Sequence, residues 1–329
     1  MQRIGHRAYT TFVSRSHQRG SLALFQPSTL AYNFCLPQKS RQLVTAARNS
    51  GDLPELPHMT VDDRSFAQNP GHVGDVSEHL ERDGILKISL RFPDDKSQYL
   101  ENLVVNLHKQ CGHGLPITHS ASRGWFWDVR PQEGSLQPVQ DHRARSETME
   151  NFPWHTDCSY EDSPPRYFAL HVLQPDRYGG GTLSVMKVDR VWEMLSPKSR
   201  DALSQPLYRI KIPLEFIKQP DQRHIVDNLL AVDRGRVSPS TIMRFREDIV
   251  SPLNADAEGA LSELKSLLRQ LEADSSCVLH LTPNHLPQNA IILMDNRRWL
   301  HSRNAVQDPA RHLRRVRWDS IPFSKMSCN

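Results

Sequence analysis

The chain has 329 residues, of which 38% are hydrophobic, and carries a formal net charge of +4. This length suits one large globular domain or two small ones, and the absence of about 18 consecutive apolar residues argues against a membrane-spanning helix. Seven basic and no acidic residues lie within residues 1–50, leaving 34 basic and 37 acidic side chains in the remainder, which disfavours nucleic-acid binding by the rest of the chain.

Residues 1–50 are rich in Arg, Ser and Thr and lack acidic residues, a composition typical of a mitochondrial transit peptide. The segment is predicted to address the protein to the mitochondrial matrix, or to form a disordered tail of a cytoplasmic protein if it is not cleaved. Residues 51–72, rich in Pro, Asp and Gly, are predicted to be a linker. The main domain is expected over 73–323, followed by a short tail at 324–329.

Hydrophobic periodicity predicts a short helix over 74–84, then a strand over 84–90 and an amphipathic helix that ends near Lys109. Short helices are expected after Asp189 and Ser196, and the clearest helix spans 254–273. Apolar and aromatic runs predict strands at 123–130, 167–173, 182–188, 241–245, 277–281, 290–294 and 313–318. Many short strands with helices early and late indicate a mainly β fold with flanking helices.

The five cysteines form no Cys-x-x-Cys pair. Their odd number and scattered positions argue against a disulfide framework and against a zinc site made of cysteines. Cys158 lies three positions after His155, which raises the alternative of a thiol nucleophile. We disfavour it, because residues three apart in a strand point to opposite faces.

A His-x-Asp pair at His155 and Asp157 follows a polar stretch at 131–150 that is predicted to be a loop beside the site. Alone the pair is weak, because the chain has 16 histidines and a loop histidine beside a capping aspartate is the simpler explanation. His301 follows a buried-looking strand near the other end of the chain. Two histidines and one carboxylate bind non-haem Fe(II) on one face and leave the opposite face open.

Two further features accompany these residues. Gly179–Gly181 precede Thr182, whose hydroxyl can bind a carboxylate. Arg311 and Arg315 lie four apart on one predicted strand face, and a guanidinium group suits a dicarboxylate co-substrate. A basic surface strand is the alternative, because Arg314 and Arg317 crowd the same stretch.

The order His-x-Asp, Gly-Gly-x-Thr, His, Arg resembles the Fe(II)/2-oxoglutarate-dependent dioxygenases of the TauD/TfdA (taurine dioxygenase, clavaminate synthase-like) superfamily. The resemblance covers roughly residues 72–323. It is carried by Trp154–Asp157, Gly179–Thr182, Asp295–Arg303 and Arg311–Arg315. The resemblance implies a double-stranded β-helix, or jelly roll, made of two packed sheets.

The resemblance also implies roles for individual residues. The implied Fe(II) ligands, and hence the catalytic centre, are His155, Asp157 and His301. Arg311 and Thr182 would hold the far carboxylate of 2-oxoglutarate. Arg315 matches a position that faces an anionic group of the substrate in some members, although its neighbour Arg314 competes for this role.

The implied reaction hydroxylates or desaturates a small, carboxylate-bearing organic substrate with O2 and releases succinate and CO2. Related halogenases replace the carboxylate ligand with a small residue, so Asp157 argues for hydroxylation or desaturation. The alternative function is a catalytically inactive binding or scaffold protein on the same barrel. The sequence leaves the substrate identity open, as well as the choice between a monomer and a homo-oligomer.

Overall fold

The computed structural model describes residues 56–118, 124–131, 144–233 and 239–323. The predicted targeting segment at 1–50, the tail at 324–329 and most of the loop predicted at 131–150 lie outside these residues. None of the helices in the described ranges combines the length and apolarity that a bilayer span requires.

Five α-helices flank the sheets of the described structure. They are α1 (Pro70–Arg82), α2 (Gln98–Cys111), α3 (Val188–Met194), α4 (Pro197–Leu203) and α5 (Ala255–Glu272). Local sequence fixes where several of them begin. The Asp94 carboxylate accepts hydrogen bonds from the backbone N–H groups of Gln98 and Tyr99 at the start of α2. The Asn254 side chain caps α5 by accepting from the N–H of Ala257.

Fifteen strands build four sheets in the described residues. They are β1 (His58–Val61), β2 (Ile85–Leu90), β3 (Phe126–Val129), β4 (Phe152–His155), β5 (Pro165–Gln174), β6 (Leu183–Lys187), β7 (Tyr208–Lys211), β8 (His224–Asp227), β9 (Leu230–Asp233), β10 (Ser240–Met243), β11 (Val250–Pro252), β12 (Val278–Leu281), β13 (Ala290–Asp295), β14 (Trp299–Arg303) and β15 (His312–Ser320). The mainly β fold with flanking helices is therefore confirmed.

The two largest sheets have orders β1-β2-β13-β5-β15-β3 and β12-β6-β14-β4. Their strands pair antiparallel, except that β1 and β2 are parallel. Smaller sheets have orders β11-β7-β8 and β10-β9. The smaller of these two sheets therefore contains four strands, and β4 lies at its edge.

Alternating side chains of β5 contribute to two separate cores. Phe168 packs between the two largest sheets with Val185 of β6, whereas Tyr167 packs on the opposite face with α1 and α2. A third core joins α3, α4 and α5 to the outer side of the four-stranded sheet and includes Leu264. This alternation follows from the two-residue period of a strand buried on both faces. The space between the two largest sheets is where the site lies.

Two expectations need correction. Part of the region 51–72, predicted as a linker, is ordered: β1 pairs with β2 in register from His58, and α1 begins at Pro70. The polar residues of this region belong to a short edge strand and to the capped start of a helix, and not to an irregular linker. Likewise, residues 224–233, where no strand was predicted, contain β8 and β9, whose four-residue length gives a weak periodic signal.

Candidate metal centre and co-substrate cavity

Three predicted ligand residues converge in the structure. His155 is the last residue of β4, Asp157 lies two positions further, and His301 is the middle residue of β14. The two strands are neighbours, and His301 is directly paired with His155. His301 was expected to follow a strand, but it lies within one, because the turn at 296–298 leads directly from β13 into β14.

The side chains of these three residues form a small, buried cluster. One ligand atom from each lies within 4.8 Å of the others. The Nε2 atoms of His155 and His301 are each 3.9 Å from Asp157 Oδ1. Two imidazoles and one carboxylate at such spacing form a face on which a single metal ion can be held.

The protonation of the two imidazoles suits metal binding. His155 donates from Nδ1 to the Pro153 carbonyl at 2.7 Å, which leaves the Nε2 lone pair directed toward the centre. Burial, followed by the neighbouring His301, lowers the pKa of His155 well below its usual value. Burial lowers the pKa of His301 to about 4, against the opposing effect of Asp157. Both imidazoles are therefore neutral at physiological pH, which is the form that can bind a metal ion.

Asp157 is held as an anion by its surroundings. Burial alone would raise the pKa of this carboxyl, but the guanidinium groups of Arg315 and Arg317 outweigh burial and hold the pKa below its usual value. Arg315 Nη1 lies 3.1 Å from the Asp157 carboxylate. Asn296 fixes the backbone: its Oδ1 accepts from Asp157 N–H at 2.7 Å, and its Nδ2 donates to the carbonyls of Asp157 and Pro165.

A cavity of about 50 Å³ adjoins the three ligands. Its polar lining includes Arg303, Arg311 and Arg315, and its apolar lining includes Phe168 and Leu183. Because the lining comes from β4, β5, β6, β14 and β15, the cavity is enclosed between the two largest sheets.

Arg311 is the principal anion-binding candidate in this cavity. Its residue exposure is 6%, its Nη1 has no hydrogen-bond partner among the described residues, and its Nη2 donates to the Gly181 carbonyl at 3.4 Å. Burial, and then the nearby Arg303, lowers the pKa of Arg311 to about 9. A buried guanidinium group that forms no ion pair with the described residues is stabilised when an anion binds to it, and the dicarboxylate 2-oxoglutarate is an anion of this kind.

The glycine turn has a steric role in this arrangement. Gly181 has a φ angle of +65°, and a Cβ at this position would lie 2.6 Å from Arg311 Nε. A glycine is therefore needed both for the backbone conformation and for the space that the arginine occupies. The sequence pointed to the adjacent threonine instead.

Thr182 is not among the residues that line the cavity. It is partly buried, and its backbone N–H donates to Asn304 Oδ1 at 2.7 Å, while the next residue, Leu183, lines the wall. A role for its hydroxyl in holding the co-substrate stays a prediction. The two arginines that competed for the substrate role are separated: Arg315 lines the cavity, whereas Arg314 pairs with Asp128 on the opposite face of β15.

Cys158 is buried next to Asp157, and the Nη1 group of Arg317 lies against its sulfur. Burial raises the pKa of this thiol, in spite of the arginine. A thiol with a raised pKa is a poor nucleophile, so the alternative of a Cys–His catalytic pair finds no support.

Several residues near the site were not predicted from the sequence. Phe152 stacks on the His155 ring with centroids 3.6 Å apart, and Arg246 is bridged to His155 through the backbone. Arg303 donates to the carbonyls of Thr148 and Glu150. Only Asn296 and Arg303 lie within a motif that the sequence analysis singled out; the others belong to segments without a recognisable pattern.

Comparison with known proteins gave one family match and several structural matches. Residues 118–317 match the model of the "Taurine catabolism dioxygenase TauD, TfdA family". No curated protein matches the sequence.

Two solved structures represent the structural similarity. Asparagine oxygenase, in complex with Fe(II), 2S,3S-3-hydroxyasparagine and succinate, has a TM-score of 0.60 and 17% identity, covering 79% of this chain and 92% of its own. The non-heme iron oxygenase OrfP, with Fe and alpha-ketoglutaric acid, has a TM-score of 0.58 and 17% identity, covering 81% and 95%. At this identity the matches show a shared fold, and the expected jelly roll is confirmed.

Proposed function

The chain belongs to the taurine catabolism dioxygenase TauD, TfdA family, and from this premise we propose that it is an Fe(II)- and 2-oxoglutarate-dependent hydroxylase of a small organic acid. Membership makes it an oxidoreductase of the dioxygenase class. The observation that carries the proposal is the buried cluster of two imidazoles and one carboxylate beside the guanidinium group of Arg311, whose Nη1 has no hydrogen-bond partner among the described residues.

We assign different roles to the residues of the site. His155, Asp157 and His301 would hold Fe(II), and Arg311 would bind the far carboxylate of 2-oxoglutarate. Bound Fe(II) supplies the oxidative chemistry by which O2 and 2-oxoglutarate yield succinate and CO2 as a substrate C–H bond is hydroxylated. Phe168 and Leu183 exclude water from this space, because they form the apolar wall between the sheets.

Arg315 has a positioning role and a binding role in this proposal. Its ion pair with Asp157 fixes the carboxylate in a single orientation. Since the same guanidinium group lines the cavity and its buried Nε has no hydrogen-bond partner among the described residues, it also offers a binding site for an anionic group of the substrate.

Hydroxylation is favoured over desaturation. The two structural neighbours were solved with hydroxylated or co-substrate ligands, 3-hydroxyasparagine with succinate in one and alpha-ketoglutaric acid in the other. The carboxylate of Asp157 argues against halogenation, because it occupies the position that a halide ion would need. The alternative of an inactive scaffold is less well supported, because one ligand atom from each of the three ligand residues lies within 4.8 Å of the others and Arg311 lines the adjoining cavity.

The test is anaerobic addition of Fe(II) and 2-oxoglutarate to the purified protein. The expected result is a visible metal-to-ligand charge-transfer band, followed by succinate release when air is admitted. A protein that shows neither the band nor succinate would contradict the enzymatic proposal. A panel of small acids, scored by stimulated succinate formation, would then identify the substrate.

We further propose that residues 1–50 direct the protein to the mitochondrial matrix. The support is compositional: this segment has seven basic and no acidic residues. A fluorescent protein fused to residues 1–50 should enter mitochondria, and replacement of the seven basic residues with Gln should prevent entry. A cytoplasmic distribution of the unaltered fusion would contradict the proposal.

A further inference from the structure

Strand β4 contains a β-bulge beside the candidate metal centre. In its pairing with β14, His155 lies opposite His301, and Phe152 lies opposite Arg303. Two residues of β4 between these pairs therefore face one residue of β14, which is the arrangement that defines a bulge. The first of the two is Pro153, and a proline suits a bulge on an edge strand because it has no N–H group to donate.

The bulge brings Phe152 and His155 to the same side of the strand. Residues three apart in a regular strand point to opposite faces. Here the two rings stack, with centroids 3.6 Å apart and planes 12° apart, and both side chains line the co-substrate cavity. The Pro153 carbonyl, in the same bulge, accepts the hydrogen bond from His155 Nδ1. One local irregularity thus supplies two of the contacts that fix this imidazole.

The geometry of this stack suits an imidazole that is bound to a metal ion. Two neutral aromatic rings prefer offset or edge-to-face contacts, whereas these rings lie almost face to face. A divalent cation at Nε2 withdraws electron density from the imidazole, and an electron-poor ring is attracted to the negative face of a phenyl ring. The second imidazole differs, because Phe168 lies 4.8 Å from His301 with its plane tilted by 38°.

The Phe152 ring is itself held in place by a fixed neighbour. The guanidinium carbon of Arg246 lies 5.5 Å from the ring centroid, and the backbone of Arg246 is bridged to that of His155. Asp248 accepts two hydrogen bonds of 2.8 Å from this guanidinium group, so the charge of Arg246 is offset by a carboxylate. A ring that is supported in this way can stay where it is when an ion binds.

We propose that Phe152 is a positioning residue for the metal centre, and that its ring stabilises the metal-bound form of His155 more than the metal-free form. The inference rests on the proposed function, because it requires His155 to be a metal ligand. The ring acts through the imidazole: it fixes the plane of that ligand and adds to the attraction that the site has for a cation.

A series of fluorinated rings tests this role. Each fluorine weakens the negative charge on the face of a phenyl ring and changes its shape little. The full-length protein with mono-, di- or trifluorinated phenylalanine at position 152 is titrated with Mn(II), and the free ion is measured by its electron paramagnetic resonance signal. The Mn(II) affinity should fall with each fluorine, and the total loss should be about 3- to 30-fold. Phe152→Leu, which removes the ring, should lose at least as much.

Phe126 offers a matched control. It is also a partly buried phenylalanine of a short strand, but it packs against the core that contains α1 and α2. The same fluorinated residues at position 126 should leave the Mn(II) affinity unchanged. Phe126→Leu should lower the unfolding free energy of the metal-free protein without a change in Mn(II) affinity, which separates a loss of packing from a loss of metal binding.

The outcomes distinguish this inference from the proposed function. If the unaltered protein does not bind Mn(II), the metal centre itself is contradicted, and the role of Phe152 is overturned with it. Normal Mn(II) binding that does not vary along the fluorinated series overturns the role of Phe152 alone, even if Phe152→Leu binds the ion more weakly. Equal trends at positions 126 and 152 also overturn it.

Discussion

Asp157 is the residue on which the site depends most closely. Its side chain faces two imidazoles and Arg315, while its backbone is fixed on both sides by the single amide of Asn296. The chain therefore holds this carboxylate from the turn between β13 and β14, the same turn that delivers His301. A ligand supported in this way needs little reorganisation when a metal binds.

Replacement of Asn296 should damage both stability and metal binding. Asn296→Ala leaves three buried backbone groups without partners, which should cost about 2–4 kcal/mol of unfolding free energy and weaken Fe(II) binding about 10-fold or more. Urea denaturation and metal titration provide the two measurements.

The control is Asn228→Ala, because the Asn228 side chain is another buried amide that is bonded to the backbone. It should lower stability with no change in Fe(II) affinity, and an equal change in both variants would contradict the assigned role.

His171 should make the stability of the fold depend on pH. It is fully buried on β5, hydrogen-bonded through Nδ1 to Ser97 Oγ at 2.8 Å, and burial lowers its pKa from 6.5 to about 4. The unfolded chain binds the proton first as pH falls. The contribution of this residue to stability is therefore complete above pH 6.5 and is lost as pH falls from 6.5 toward about 4.

We expect this loss to reach about 3 kcal/mol. The measurement is the unfolding free energy from urea denaturation of the metal-free protein between pH 7.5 and 4.5. His171→Gln lowers stability at every pH, but its decline with acid should be shallower than that of the unaltered chain. Parallel curves for the two proteins would contradict the prediction.

At the scale of elements, α5 shows how a local sequence determines one helix. Asn254 caps the first turn, two acidic residues follow in that turn, and a leucine stripe packs into the core of α3, α4 and the four-stranded sheet.

Removal of the cap in Asn254→Ala should lower the unfolding free energy by about 1 kcal/mol, because the Ala257 N–H loses its acceptor. Asn254→Asp should keep the stability, and 2-oxoglutarate turnover should be unchanged in both variants. A loss in Asn254→Asp equal to that in Asn254→Ala would contradict a capping role.

Some elements of the fold could be predicted from the sequence, and others could not. Helix α5 follows from its strong periodicity, strand β5 from its run of apolar and aromatic residues, and the candidate ligand residues His155, Asp157 and His301 from their motif. Strands β4 and β14, which carry both histidines, were not predicted. Each has only four or five residues, and several are polar or aromatic, so their stability comes from pairing with one another across a gap of well over a hundred residues.

The arginines that lie near the candidate metal centre illustrate the same limit. Arg315 was found because it lies four residues after Arg311, but Arg246 and Arg145 lie in irregular segments of no distinct pattern. Only the edge position of β4 brings them beside His155. Their position near His155 depends on tertiary structure, and no spacing rule in the sequence could have predicted it.

At the scale of the whole molecule, the site joins the two largest sheets. The imidazole ligands belong to the four-stranded sheet, whereas Arg315 is on β15 of the six-stranded sheet and Arg311 directly precedes that strand. On the proposed function, a metal ion held by these imidazoles would stabilise mainly the four-stranded sheet and its edge, while 2-oxoglutarate held by Arg311 would link one sheet to the other. Ligands that bind only the folded state stabilise it according to their concentration and affinity.

Thermal unfolding should show this linkage in two steps. Mn(II), which serves as a redox-inert probe, should raise Tm, and 2-oxoglutarate added at about 100 times its Kd should contribute about 2.7 kcal/mol more, which corresponds to roughly 5–10 °C. EDTA should reverse both shifts.

His155→Ala should lose both shifts in Tm, because the metal loses an imidazole ligand. Arg311→Gln should keep the Mn(II) shift and lose most of the second one, because the far carboxylate of 2-oxoglutarate then has no guanidinium partner. Retention of the full 2-oxoglutarate shift by Arg311→Gln would show that this carboxylate binds elsewhere.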